Sequence, residues 1–153
     1  MNLTAKVRQL LNEALEEYPE LFLIDLKVGS DNSIRVVLDG DRGVSLQDCI
    51  NISRAVEHQL DREKEDFSLE VASVGIGTPL QNARQFIKNI GRKLKVEVFG
   101  NPPIQGLLIA ADEKVFTLTW KQREPKPVGK GKITVEKKET LSYENITNAK
   151  VLI

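Results

Sequence analysis

The sequence has little of what most enzymes are built from. In 153 residues it carries one cysteine, one histidine, one tryptophan and one methionine. A single thiol excludes an internal disulfide and fits a reducing compartment. One Cys and one His cannot supply the ligand set of a zinc site. Cys49 and His58 are the thiol–base pair to test, and both fall in one helical stretch. Nine residues at about 100° each place them roughly 180° apart, so they cannot act as a dyad within one molecule. Cys49 falls on the apolar side, as an inert small core residue does, and His58 reads as a surface residue. Asp39, Asp41 and Asp48 lack the ordered spacing and terminal glutamate of a calcium loop. No catalytic residue, metal or cofactor is expected.

Long apolar runs are missing too. None approaches the roughly 20 residues that span a bilayer, and the N-terminus has no basic segment followed by an apolar core and a cleavage site. The expectation is a folded cytoplasmic protein.

Net charge is zero overall, but the average conceals a division. Residues 1–80 hold 8 Lys/Arg against 15 Asp/Glu, a net −7; residues 81–153 hold 14 against 7, a net +7. Such a division suits two surfaces built for different partners.

Periodicity supplies the outline. Leu3, Val7, Leu10, Leu11, Ala14 and Leu15 recur at helical spacing, Asn2 or Thr4 is placed to cap the start, and Pro19 ends the helix. Phe22, Ile24, Leu26 and Val28 alternate with Leu23, Asp25 and Lys27, then Ser30–Ser33 turns the chain and Ile34, Val36 and Leu38 alternate again, which is a hairpin. Ser45 with Asp48 is a capping-box variant, and Leu46, Cys49, Ile50, Ser53, Val56 and Leu60 share a predicted face. An acidic stretch, Asp61 to Asp66, precedes a third strand around Leu69 and Val71. Helix, strand, strand, helix, strand reads as a small α+β sheet domain. Val74–Pro79 breaks the pattern, so the expected domains are residues 1–80 and 81–153. A short helix carrying Phe86, Ile87 and Ile90 opens the second, with Gly91 at its end. Five short strands then predict a small SH3-like or Sm-like β-barrel.

The glycines carry no phosphate loop. After Gly75-Ile76-Gly77 the third glycine of a dinucleotide fingerprint is missing, with Leu80 in its place, so a tight interdomain turn is the reading. Gly40-Asp41-Arg42-Gly43 has the GxxG form, but it joins a strand to a helix and carries acids that repel phosphate, unlike the KH loop. The basic stretch is more informative. Lys121, Arg123, Lys126, Lys130, Lys132, Lys137 and Lys138 face only Glu124, Glu136 and Glu139. Prolines and glycines make Lys121 to Gly131 an exposed loop of a hairpin, and clustered cations neutralise phosphates without reading sequence. The plainer alternative is a solvated loop that keeps strand edges from pairing.

Gly43-Val44-Ser45-Leu46-Gln47-Asp48-Cys49 with Ser53-Arg54, the run Leu69 to Leu80, Phe86, Gly91, and Tyr143-Glu144-Asn145-Ile146 with Ala149 together resemble the RimP family of ribosome maturation factors. The likeness spans the whole chain in order. It departs in the interdomain motif, where Val74, Gly77 and Thr78 stand in place of the family's proline, aspartate and arginine. The resemblance implies a non-enzymatic cytoplasmic factor in ribosome biogenesis, with an α+β N-terminal domain and an SH3-like C-terminal barrel. It also implies binding to the immature small (30S) subunit and to a basic ribosomal protein of its decoding centre. Asp39, Asp41, Asp48 and Glu70, with Ser73, Gly75 and Pro79 setting the joint, are the expected contacts to that protein. The seven cations from Lys121 to Lys138 are the expected contacts to ribosomal RNA. The alternative is a general RNA-binding module acting through the basic barrel.

Overall fold

Alternation of buried and exposed residues shapes both halves of the chain. The computed structural model describes residues 2–61, 66–75 and 77–152. Residues 62–65 of the acidic stretch, Ile76 of the interdomain motif and the terminal Ile153 lie outside the described residues. The chain divides into two compact units, Met1–Gly75 and Ile76–Ile153.

In the first unit the order is α1 (Leu3–Glu16), β1 (Leu21–Val28), β2 (Ser33–Gly40), α2 (Leu46–Glu57) and β3 (Ser68–Ser73). Helix α1 is capped by Asn2, whose side chain accepts from the Ala5 N–H at 2.8 Å. Helix α2 begins in a reciprocal box: Ser45 Oγ accepts from the Asp48 N–H at 3.0 Å and the Asp48 carboxylate from the Ser45 N–H at 2.9 Å. The strands form one sheet in the order β1-β2-β3, antiparallel between β1 and β2 and parallel between β2 and β3. Val7 and Leu11 of α1, Ile52 and Val56 of α2, and Ile34, Val36 and Leu38 of β2 make the centre of its core.

Two details differ from the sequence reading. A bulge in β1 between Leu23 and Asp25 leaves Ile24 without a partner on β2. An extra residue reverses which side chains face inward, so Leu21 and Leu23 join the core before the bulge and Leu26 and Val28 after it. Of the expected face of Phe22, Ile24, Leu26 and Val28, the second half packs on the core, Phe22 is buried apart from that cluster, and Ile24 is displaced by the bulge. On α2 the buried stripe is Cys49, Ile52 and Val56, while Leu46 is 79% exposed. With apolar residues at positions 46, 49, 50, 52 and 56, two overlapping stripes fit a helical period. Packing against α1 selects the one containing Ile52.

The second unit runs α3 (Ala83–Lys88), β4 (Lys93–Val98), β5 (Ile104–Ala111), β6 (Val115–Pro125), β7 (Lys132–Ser142), a 3₁₀ turn (Tyr143–Asn145) and β8 (Ile146–Val151). Leu80 packs against this unit's core, and its N–H donates to the Ala149 carbonyl at 2.8 Å. The strands form one antiparallel sheet in the order β7-β6-β5-β4-β8. The expected barrel is not closed: β7 and β8 are the two edges, and no ladder joins them among the described residues. Side chains do that work instead. Phe86 of α3 lies with its ring centre 4.8 Å from both Phe116 and Tyr143, and Phe116 stacks on Tyr143 at 5.3 Å. The rings fill the space between the strand ends, while the 3₁₀ turn carries the chain from one edge to the other.

The expected loop from Lys121 to Gly131 is strand in its first part, through Pro125. β6 runs to Pro125 and β7 starts at Lys132, paired from Val115↔Ser142 to Pro125↔Lys132, so only residues 126–131 turn. Gly129 and Gly131 there adopt left-handed backbone, with φ of 86° and 95°. Ladder hydrogen bonds outweigh the turn-like composition, because Pro125 sits at the end of the ladder, where a missing N–H costs least.

Replacing Ser45 by Ala removes one half of the α2 cap. It is expected to lower stability by about 1 kcal/mol in urea unfolding, with an unchanged m-value.

Candidate functional site

The expected acidic contacts do not assemble into one patch. Asp39 is 4% exposed at the end of β2, and its carboxylate accepts from the Gly40 N–H at 2.8 Å. Asp48 is occupied in the α2 cap. Asp41 is exposed in the connection after β2, beside Gly43, whose N–H donates to the Gly40 carbonyl. Gly40 has no room for a side chain, since a Cβ there would collide with the Gly43 carbonyl. Glu70 is exposed on β3 in register with Arg35 of β2. Its face of the sheet also carries Lys27, Asp25 and Arg35, so the sheet side without helices is mixed in charge. Ser73 ends β3 opposite Leu38, and Gly75 and Pro79 are exposed in the segment that follows. On α2, Cys49 is buried and His58 exposed. Burial, and then the charge of Asp48, pushes the Cys49 thiol above its ordinary pKa.

The basic set is sorted by the β6–β7 ladder. Directly paired residues share a face, so the pairs Pro125–Lys132, Arg123–Thr134, Lys121–Glu136 and Thr119–Lys138 place four of the expected cations together. Lys137 pairs with Trp120 on the other face, where its ammonium meets Glu124 Oε1 at 2.6 Å. Lys126 and Lys130 are exposed in the turn. Thus the structure unites Lys121, Arg123, Lys132 and Lys138 and separates Lys137 from them.

Three lysines missed by the sequence reading lie on the same side of the sheet. Leu94, Val96 and Ala149 point into the core, so Lys93, Lys95 and Lys150 point out. Their alternation with apolar neighbours was visible in the sequence; the pairing that joins them to β6 and β7 was not. Between these strands lies a shallow depression of about 510 Å³, lined by Lys93, Gln105, Gly106, Leu107, Thr119 and Lys121 among others.

The closing motif Tyr143–Ile146 serves structure. The Tyr143 hydroxyl donates to the Asp112 carbonyl oxygen at 2.7 Å. The Asp112 carboxylate accepts from the N–H groups of Lys114 and Val115 at 2.7 and 2.9 Å. Those bonds, with Val115 first, hold its carboxyl below the ordinary range. Burial, and then the Asp112 charge, pushes the Tyr143 phenol up to about 12.

No group of His, Cys, Asp and Glu among the described residues is placed to hold a metal, and no helix is long and apolar enough to cross a membrane. What the structure offers is two small units, one presenting a broad cationic sheet face. Residues 10–77 match the RimP N-terminal domain family. The chain is 53% identical over 151 residues to the ribosome maturation factor RimP of Christiangramia forsetii, covering 99% of this chain and 98% of that protein. It is 51% identical over 148 residues to the factor of the same name from Flavobacterium psychrophilum, covering 97% and 96%. It is 35% identical over 99 residues to the ribosome maturation factor RimP of Porphyromonas gingivalis, covering 65% of each chain. The chain belongs to the RimP family.

Tyr143 gives a pH prediction. Its folded pKa lies above the unfolded value, so its contribution to stability is complete below about pH 10 and is lost as pH rises toward 12. In a tyrosinate absorbance titration of the folded protein, Tyr143→Phe should remove a late step near pH 12.

Proposed function

We propose that this chain is a ribosome maturation factor acting in assembly of the small (30S) subunit. On this reading it associates with the immature particle and with a basic ribosomal protein of the decoding centre. The observation that carries the reading is similarity at 53% identity along 99% of the chain to a protein named for ribosome maturation. RimP proteins are non-enzymatic assembly factors, so association and placement are the activity to be explained. The −7 and +7 charge division supports two partners of opposite sign. Complementarity of that kind speeds encounter and orients the complex more than it adds affinity. The exposed acids Asp41 and Glu70 suit first contact with a basic protein. Asp39 and Asp48 act by shaping the β2–α2 connection, with Ser73, Gly75 and Pro79 at the joint. Ribosomal RNA is met by the cations of the second unit. The cytoplasm, where bacterial subunits are built, is the place of work.

A general RNA-binding module remains the second reading, favoured by the four expected cations that share one face. Sedimentation of cell extract tests the first. The protein should travel with free small subunits and be scarce on translating ribosomes; an even distribution across all ribosomal fractions would refute it. In titrations with the basic ribosomal protein, Asp41→Asn with Glu70→Gln should weaken binding about three- to ten-fold at low salt, and less at moderate salt as screening grows. Unchanged binding at low salt would remove these two acids from the interface.

A further inference from the structure

The cations of the second unit form a wider surface than the hairpin alone. Lys93 pairs with Leu107, Leu107 with Thr119, and Thr119 with Lys138, so one row crosses β4, β5, β6 and β7 on a single face. The next row holds Lys150 and Lys95, directly opposed across β8 and β4, followed by Gln105 opposite Lys95 on β5. Further along β6 and β7 the same face carries Lys121, Arg123 and Lys132. All seven cations are exposed. Among the described residues none of them has an ion-pair partner within 4 Å. The strands contribute only two carboxylates to this face, Glu97 and Glu136, and Glu136 accepts from the Thr119 hydroxyl at 3.3 Å.

Two features separate this array from an ordinary solvated face. Lys95 and Lys150 oppose each other directly, and like charges so placed destabilise a sheet unless an anion lies between them. The array also borders the depression over Gly106 and the partly exposed Leu107, which leaves room for a sugar or base beside the charges. No strand position whose side chain lies on this face is aromatic; Trp120, on the opposite side of β6, also lines the depression, so charge rather than a row of stacking rings is the main means of capture.

We infer that the outer face of the β7-β6-β5-β4-β8 sheet, with Lys93, Lys95 and Lys150 as essential members, binds the phosphate backbone of RNA without reading its sequence. This deepens the RNA contact proposed above and rests on that reading. It moves the contact from a loop to a sheet face, adds three lysines and leaves out Lys126, Lys130 and Lys137. Polyanion binding of this kind releases counterions, so affinity falls linearly with salt on logarithmic axes, by about 0.7 per phosphate neutralised on a single strand.

The test uses the full-length chain and a fluorescent 20-nucleotide oligouridine, titrated from 50 to 200 mM KCl. The variant Lys93→Gln/Lys95→Gln/Lys150→Gln should bind about ten-fold or more weakly at 100 mM, with a salt slope shallower by about 2. Its melting temperature should be equal or higher, because the Lys95–Lys150 repulsion is gone. Lys137→Gln should bind as the wild type does. A triple variant with wild-type affinity and slope overturns the inference. So does a loss confined to Lys126→Gln/Lys130→Gln, which would place the contact at the hairpin tip. Polyglutamate of matched charge binding as tightly as the oligouridine would point to an acidic protein and overturn it too. Wild-type protein that binds RNA through these lysines yet fails to travel with small subunits would refute the proposed function and leave this inference standing.

Discussion

Burial of one side of the five-stranded sheet governs the rest of the second unit. Leu94, Val96, Leu108, Phe116 and Leu118 are at most 1% exposed. Burying such a side chain contributes about 1.5–3 kcal/mol. Because strand side chains alternate in direction, every inward apolar residue sends its neighbours outward. The neighbours here are Lys93 and Lys95 on β4, Thr119 on β6, and Lys138 close to Leu141 on β7. A cationic surface is therefore the necessary reverse of the hydrophobic core. Turning those lysines inward would require a one-residue slip of the ladders and would expose the core.

The aromatic contact among Phe86, Phe116 and Tyr143 keeps that core covered where the sheet does not close on itself. A closed barrel satisfies its edges with hydrogen bonds; here α3 and the 3₁₀ turn bring rings together instead. Tyr143 is held further by its bond to the Asp112 carbonyl, and Asp112 in turn organises the β5–β6 turn. The residues at the end of the chain that resemble RimP thus anchor the fold.

The two charged halves are built differently. In the first unit two of the expected acids are committed to local structure, Asp39 to the Gly40 N–H and Asp48 to the helix cap. The exposed Glu70 stands beside Arg35. In the second unit the seven cations of the outer face make no ion pair among the described residues, although Lys121 stands opposite Glu136, while Lys137 on the other face is paired with Glu124. Equal and opposite net charges therefore correspond to unequal surfaces: mixed on the helix-free face of the first sheet, and strongly positive on the outer face of the second.

Local rules determined much of this in advance. Asn2 and the Ser45–Asp48 pair mark helix starts because a short polar side chain there satisfies free N–H groups. The strand alternation around Leu94, Leu108 and Phe116 follows from the two-residue pleat, and the RimP likeness follows from short contiguous motifs. Tertiary structure decided whatever depended on a partner strand or helix. The bulge at Ile24 needs the register with β2 to be seen, and the choice between Leu46 and Ile52 as the buried stripe needs α1. The extension of β6 and β7 through Lys121–Pro125 needs the ladder, which overrides local composition. Above all, joining Lys93, Lys95 and Lys150 to Lys121 and Lys138 is a matter of which strands lie side by side. These residues come from four strands spread over residues 93–151, and only cross-strand hydrogen bonding brings those strands' lysines onto one face.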